Sequence, residues 1–272
     1  MGKARIVIAL VLVALLAGCA YPANNVHTTQ TEQKASAQLV VCCGAGLMKP
    51  MNELVSSFEK ETGCKVTIHY GGSGELYAIL STKGCDVFIP GSYYYVERAM
   101  EEGYIVNGSV VNVTKHIPVI AVPKGNPTGI HSLSDLAKPG VRVAIGDPKA
   151  CAIGRVAVKM LKKDGLWEKV KKNVVVEAPT VNQLLVYVAT GQVDCAIIWA
   201  DLVTWAQAKG KIEVISIPPQ QNLIKTIPVA ITVYAKKDGR LGYAEKFEKF
   251  VTSPEAIEVW KKWGFEPAGV SP

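Results

Sequence analysis

Four short segments carry the residues best suited to chemistry, and the chemistry they suit is anion binding. They are Gly44-Ala45-Gly46, Gly71-Gly72-Ser73-Gly74, Gly146-Asp147-Pro148 through Gly154, and Ala178-Pro179-Thr180-Val181. Glycine lets backbone N–H groups come close to a ligand, and the first turn of a helix carries partial positive charge. Segments of this kind hold anions without Lys or Arg. Ser73 and Thr180 add hydroxyls able to donate. Taken singly, each segment reads equally well as a turn, with Ser73 or Thr180 as a helix N-cap. Only convergence of several on one cleft favours a ligand.

Other chemistries find less support. Cys151 stands at a predicted helix start, where a thiol pKa is lowered, so a thiol-dependent enzyme is one alternative. No His can be assigned beside it, and a Cys packed against a cleft wall accounts for it as well. The chain has seven Cys and four His (27, 69, 116 and 131), with no C-x-x-C pair and no metal-ligand spacing. That argues against a zinc site, and no metal or cofactor is expected. Cys42, Cys85 and Cys195 lie in apolar runs and read as small buried hydrophobes, whereas their pairing cannot be read from sequence. No glycine segment gives G-x-G-x-x-G, so a dinucleotide is not expected either. Arg155 reads as a surface residue or a ligand contact. Asn107-Gly108-Ser109 and Asn112-Val113-Thr114 fit the N-glycosylation pattern, which is common by chance.

These segments need elements to position them. From residue 38, β-rich runs alternate with helical patterns. Strands are predicted at Leu39 to Cys43, Lys65 to Tyr70 and Asp86 to Ile89. Helices follow each, the first carrying Met51, Leu54, Val55 and Phe58 on one face and the third running from Tyr93 to Glu102. After a long strand at Ile117 to Val122, a second set follows: strands at 141–145, 173–176 and 193–199, and helices from about Arg155 and Asn182. A short β segment at 214–217, a strand at Ile227 to Ala235 and two closing helices end the chain. The expected fold is α/β, two doubly wound α/β lobes joined by two crossover strands, with 38–116 and 228–272 in lobe 1 and 117–227 in lobe 2. A cleft is then expected at the carboxyl ends of the strands, where the four segments meet.

The N-terminus reads as an export signal over residues 1–18, with Lys3 and Arg5, an apolar run from Ile6 to Leu16, and small residues before Cys19. Leu16-Ala17-Gly18-Cys19 looks like a lipobox, so Cys19 is expected to be lipidated. The polar stretch 19–37 is then a flexible tether, and the protein sits outside the cytoplasmic membrane. The chain carries 30 Lys and Arg against 23 Asp and Glu, a net +7. Removing Lys3 and Arg5 with the signal lowers +7 to +5, and no nucleic-acid partner is expected. At 49% hydrophobic and 19% charged, the chain is not disordered.

The order and spacing of these segments resemble the periplasmic molybdate/tungstate-binding proteins, type II solute receptors of ABC importers, over nearly all of residues 38–265. The segments that match are the Gly146-Asp147-Pro148 loop with Gly154, the Ala178-Pro179 turn, Cys85-Asp86-Val87-Phe88-Ile89, and the ending Lys262-Trp263-Gly264-Phe265. The resemblance implies a periplasmic binding protein type II-like fold, no enzymatic activity, and a monomer that delivers molybdate or tungstate to an ABC transporter permease. It implies that backbone N–H and hydroxyl groups hold the oxyanion, at Gly46, Ser73, Ile153, Val181 and Trp199. Two positions depart from the family, which commonly has Ser at 46 and Tyr at 199. Lys149-Ala150-Cys151-Ala152 carries no acid, so the expanded coordination of some archaeal relatives is not expected. Gly71-Gly72-Ser73-Gly74 and Pro148-Lys149 with Arg155 are also similar to loops of sulfate-binding proteins, which keeps a sulfate-like oxyanion as an alternative. Tyr93-Tyr94-Tyr95 is similar to the tyrosine pairs of ferric-iron receptors, a further alternative. Consecutive helical residues diverge, however, so the three cannot share one metal.

Overall fold

The computed structural model describes residues 38–269, so the predicted signal, Cys19 and the whole tether lie outside the described residues. The first apolar run forms β1 (Gln38–Gly44), buried on both faces from Val41 onward, as a strand inside a parallel sheet must be. A 3-10 turn at Ala45–Leu47 leads into α1 (Met48–Thr62), which buries Met51, Leu54, Val55 and Phe58 as its periodicity predicts. Then come β2 (Lys65–Gly71), α2 (Ser73–Thr82), β3 (Val87–Ile89) and α3 (Tyr93–Glu101). The chain continues as β4 (Ile105–His116), β5 (Pro118–Pro123), β6 (Val143–Gly146), α4 (Ala152–Lys163), α5 (Trp167–Val170), β7 (Val174–Ala178), α6 (Val181–Ala189) and β8 (Cys195–Trp199). It closes with β9 (Ile212–Ser216), β10 (Lys225–Thr232), α7 (Val233–Lys237), α8 (Leu241–Val251), α9 (Pro254–Lys262) and β11 (Glu266–Pro267).

These strands build two mixed sheets. One has six strands in the order β11-β4-β10-β3-β1-β2, the other five in the order β7-β6-β8-β5-β9. In the first, β1 runs parallel to β2 and β3, and β10 is antiparallel to β3 and β4. In the second, β6 is parallel to β7 and β8, and β5 is antiparallel to β8 and β9. The chain leaves the first sheet at His116, enters the second at Pro118, and returns through residues 217–224. One apolar core surrounds the five-stranded sheet, and two others lie against the six-stranded sheet. Phe58 of α1 meets Phe247 of α8 edge-on at 5.1 Å, which locks two helices over the same sheet.

Buried polar groups pin the six-stranded sheet. Asp86 is wholly buried, accepts the Val40 N–H at 2.7 Å, and receives the Arg240 guanidinium at 2.9 Å on both oxygens. It thus ties β1 to the turn before α8. All six described cysteines are unpaired and buried, in keeping with small core side chains.

The short β11 was not predicted, and two larger differences from expectation have a physical reason. No element was predicted over 105–116, yet β4 spans twelve residues there. Its pairing with β10 shifts register twice, and those irregularities break the period-2 signal. The predicted strand Ile227 to Ala235 stops at Thr232, and Val233–Lys237 is helical. The Thr232 and Val233 N–H groups bond Asp86 O and Tyr104 O, and past these anchors the sheet offers no partner, so the chain turns.

Candidate functional site

Strand ends decide where the site lies. β1, β2 and β4 of one sheet end at Gly44, Gly71 and His116; β6, β7 and β8 of the other end at Gly146, Ala178 and Trp199. The loops beyond them meet at one cavity between the two sheets. It is lined by residues 44–47, 71–73, 151–152 and 180–181, with Gly91, His116 and Trp199. Its free space is about 20 Å³. Sites for drug-sized ligands need roughly 300–1,000 Å³, so this one suits a ligand of a few heavy atoms.

Three α-helix N-termini open onto this space, since the cap residues Gly72 of α2, Cys151 of α4 and Thr180 of α6 all line it. None of the three caps makes a side-chain bond to its helix. Ser253, by contrast, caps α9 by accepting the Ala256 N–H at 3.1 Å. The capping reading of Ser73 and Thr180 therefore loses its support. Ser73 is the first residue inside α2, and Thr180 occupies a cap position without a cap bond. Ser73 Oγ accepts the Gly91 N–H at 3.1 Å, which leaves its hydroxyl hydrogen for a ligand. Among the described residues, no lysine or arginine lines the cavity. Positive potential there comes from helix dipoles and N–H groups.

Of the five residues the resemblance singled out, Gly46, Ser73, Val181 and Trp199 line the cavity and Ile153 does not. The Ile153 side chain is fully buried in the core of the five-stranded half. A Cβ at 46 would stand 3.1 Å from Val181 Cγ1, closer than side chains ordinarily pack, and 3.9 Å from Trp199 Cδ1, an ordinary contact. The missing side chain at 46 thus spares Val181, and the two departures from the family have no common explanation in these contacts. Gly72 serves closeness of another kind. A Cβ there would lie 2.4 Å from Pro179 O and 2.6 Å from Ala150 O, both on the opposite side of the cleft. The neighbouring Gly74 N–H donates to Ala150 O at 2.9 Å. Bare backbone is what lets the two sides touch here.

Two lining residues have no sequence signal. Gly91 sits in an ordinary Pro-Gly-Ser turn, and His116 ends the unpredicted strand β4. The His116 ring is 1% exposed and stacks on Trp199 with centroids 3.7 Å apart and planes at 15°. Its Nδ1 is 3.0 Å from Gly91 O, and its Nε2 is 3.4 Å from Oδ1 of the equally buried Asp201. Burial pushes the Asp201 carboxyl up, and His116 beside it pulls the other way.

The rival chemistries lose ground on geometry. Burial pushes the Cys151 thiol up to about 11, the opposite of a thiolate poised for attack. His116 does share the cavity with Cys151, but its two ring nitrogens face Gly91 and Asp201. The tyrosines scatter as helical geometry requires. Tyr95 is buried and bonds Lys149 O at 3.0 Å, Tyr94 lies under the Arg155 guanidinium at 4.0 Å, and Tyr93 lines a separate groove with Arg155 and Lys225. None lines the cavity. Arg155 bonds Tyr95 Oη at 3.3 Å and likewise stays outside it. Among the described residues, no group of three or more His, Cys, Asp or Glu is placed to hold a metal ion. No helix among them is long and apolar enough to cross a membrane.

Comparison with known proteins agrees with this architecture. Residues 39–266 match the family described as bacterial extracellular solute-binding protein. A binding protein of Haemophilus influenzae is 33% identical over 237 residues, 86% of this chain and 92% of that one. A molybdate-binding protein of Rhodobacter capsulatus is 27% identical over 255 residues, 93% of each. Among solved structures, the sulfate-binding protein of Mycobacterium tuberculosis superposes with a TM-score of 0.75, covering 86% of this chain and 88% of that one at 16% identity. The shared fold is that of the type II periplasmic binding proteins.

Proposed function

Because the chain belongs to the bacterial extracellular solute-binding protein family, we propose that its cavity takes a small tetrahedral oxyanion, molybdate or tungstate first, for delivery to an ABC permease. The observation that carries this reading is the meeting of three helix N-termini and the Ser73 hydroxyl on a space that no Lys or Arg among the described residues lines. Such a site offers many short neutral donors, which suits a compact anion with acceptors on every side. Ser73, the backbone at Gly46 and Val181, and the Trp199 indole N–H are its donors in this reading. The α4 first turn contributes through its cap and first residue, Cys151 and Ala152. An anion bound there touches both halves, so it favours the form in which the Gly72 and Ala150 backbones meet. Resemblance to a molybdate-binding relative over nearly the whole chain supports molybdate as first choice. A sulfate-like anion comes second, on shared fold and loop similarity.

The test is calorimetry or thermal shift against molybdate, tungstate, sulfate, phosphate and ferric citrate. Molybdate or tungstate is expected to stabilise the protein most. Stabilisation by sulfate alone makes sulfate the ligand, and no response to any oxyanion overturns the reading. Lipidation at Cys19 completes the proposal, tethering a monomer at the outer face of the cytoplasmic membrane beside its permease. Intact mass spectrometry of membrane-extracted protein is expected to find a diacylglyceryl adduct on Cys19, and an unmodified or Cys19-lacking mature chain rejects the anchor.

A further inference from the structure

The wall of the cavity behind Trp199 holds a buried ionisable pair that no donor inventory of an anion site requires. His116 is 1% exposed and Asp201 3%. His116 closes β4 one residue before the chain crosses to the other sheet, and Asp201 follows β8, so the pair joins the two halves. Nδ1 of His116 faces a carbonyl oxygen at 3.0 Å, and a carbonyl can only accept. That nitrogen therefore carries a hydrogen. Nε2 faces a carboxyl oxygen of Asp201 at 3.4 Å, long for a hydrogen bond, yet it has no other partner, and neither does Oδ2 of Asp201. With Nδ1 already protonated, a neutral imidazole would turn its bare Nε2 lone pair toward a carboxylate. Two unsatisfied acceptors buried face to face are strongly unfavourable. One further proton between the two groups removes the conflict, whichever of them it sits on. The sum of their charges is then zero rather than minus one.

Resting on the anion reading of the cavity, we propose that His116 and Asp201 form a charge-selecting pair whose shared proton keeps the cavity wall neutral toward a dianion. Loss of that proton to solvent puts a negative charge in the wall and weakens anion binding. The pair reaches the ligand's surroundings through the Trp199 ring stacked on His116 and through Gly91, whose carbonyl holds Nδ1 and whose N–H holds Ser73. Burial lifts the Asp201 carboxyl in the direction this requires. Few other charges face the pair. On β4, Lys115 is half-buried and paired with Glu266 of β11, and Lys225 lies opposite His116 in the β10 register, in the groove with Arg155. From α4 the cavity receives Cys151, whose thiol is raised to about 11 and so stays neutral. Of these groups, Asp201 is the one in contact with the ring.

Two measurements on the full-length protein test this independently. Long-range nitrogen NMR of the anion-free protein, with His116 assigned by its loss in His116→Gln, reads the proton directly. Hydrogen on Nδ1, with one further proton either on Nε2 or on the Asp201 carboxyl, the latter read from its carboxyl carbon shift, is expected at about pH 7. An Nε2–H neutral tautomer, or a neutral imidazole beside an ionised Asp201, overturns the proposal whatever binds. In parallel, calorimetry with sodium molybdate and sodium sulfate follows affinity against pH. Affinity is expected to fall about tenfold per pH unit once the pair deprotonates, and Asp201→Asn is expected to flatten that fall. His116→Gln removes the group that pulls the Asp201 carboxyl down, so Asp201 stays protonated to higher pH and the alkaline fall is expected to move to higher pH. Wild-type affinity that does not fall on the alkaline side, or the same fall in Asp201→Asn, rejects the selecting role. Absence of binding by both anions at every pH removes the anion reading and the selecting role with it, while the NMR result still decides the pair's proton.

Discussion

Ser73 shows how one side chain is decided by its neighbours rather than by its type. At a helix start a serine is ordinarily a cap, but Gly72 holds the cap position and Ser73 Oγ accepts the Gly91 N–H. Its hydrogen is left for a ligand. Ser73→Ala is therefore expected to weaken oxyanion binding by about 1–2 kcal/mol and also to lower the melting temperature of the anion-free protein, because the buried Gly91 N–H loses its acceptor. Calorimetry beside a thermal scan separates the two, and unchanged affinity takes Ser73 out of the site. Several of these residues were legible in the sequence, because the glycine segments and their hydroxyls are local features. His116 was not, since a lone histidine in an irregular strand has no pattern to betray it. Its role comes from Gly91, Trp199 and Asp201, distant in sequence and brought together by both sheets.

At the scale of elements, the loops after the strands do two jobs. They supply donors, and they let the two sides of the cleft meet backbone to backbone. Gly72→Ala places a methyl against Pro179 O and Ala150 O while α2 itself tolerates alanine well. The variant is expected to fold normally and to bind oxyanion at least tenfold more weakly, as measured by calorimetry, because the closed arrangement is blocked. A second element is held by charge. Asp135, in the 3-10 turn Leu133–Ala137, pairs with Lys138 Nζ at 2.7 Å and accepts the His131 N–H at 2.8 Å. Lys138 first, and then that N–H, hold its carboxyl far below the usual range. A depressed carboxyl adds stability above the unfolded-state value of about 4, and that contribution fades as pH falls toward the folded-state value. Urea unfolding is thus expected to show Asp135→Asn less stable than wild type at neutral pH, with the gap narrowing in acid. The helical and parallel-strand elements were largely readable, because their periods are regular. β4 was hidden by its bulges, and α7 by anchors on Asp86 and Tyr104 that lie far away in sequence.

For the whole molecule, two α/β halves closing on a small cavity give the design of an extracellular solute-binding protein. Export exposes such a protein to oxidation, yet its six described cysteines are buried and unpaired. Thiol titration of the denatured, unreduced protein is expected to count all six, and a lower count would reveal pairing. The sequence by itself determined the α/β class, the order of elements and the four glycine segments, because hydrophobic period and turn chemistry are local properties of the chain. It also held the family's spacing. Only the tertiary structure decided that three helix N-termini share one cavity of a few heavy atoms and that the Ile153 side chain packs into the core. It alone placed His116 and Asp201 together in the wall. These outcomes depend on how two sheets face each other, and that arrangement rests on contacts between residues far apart in the chain.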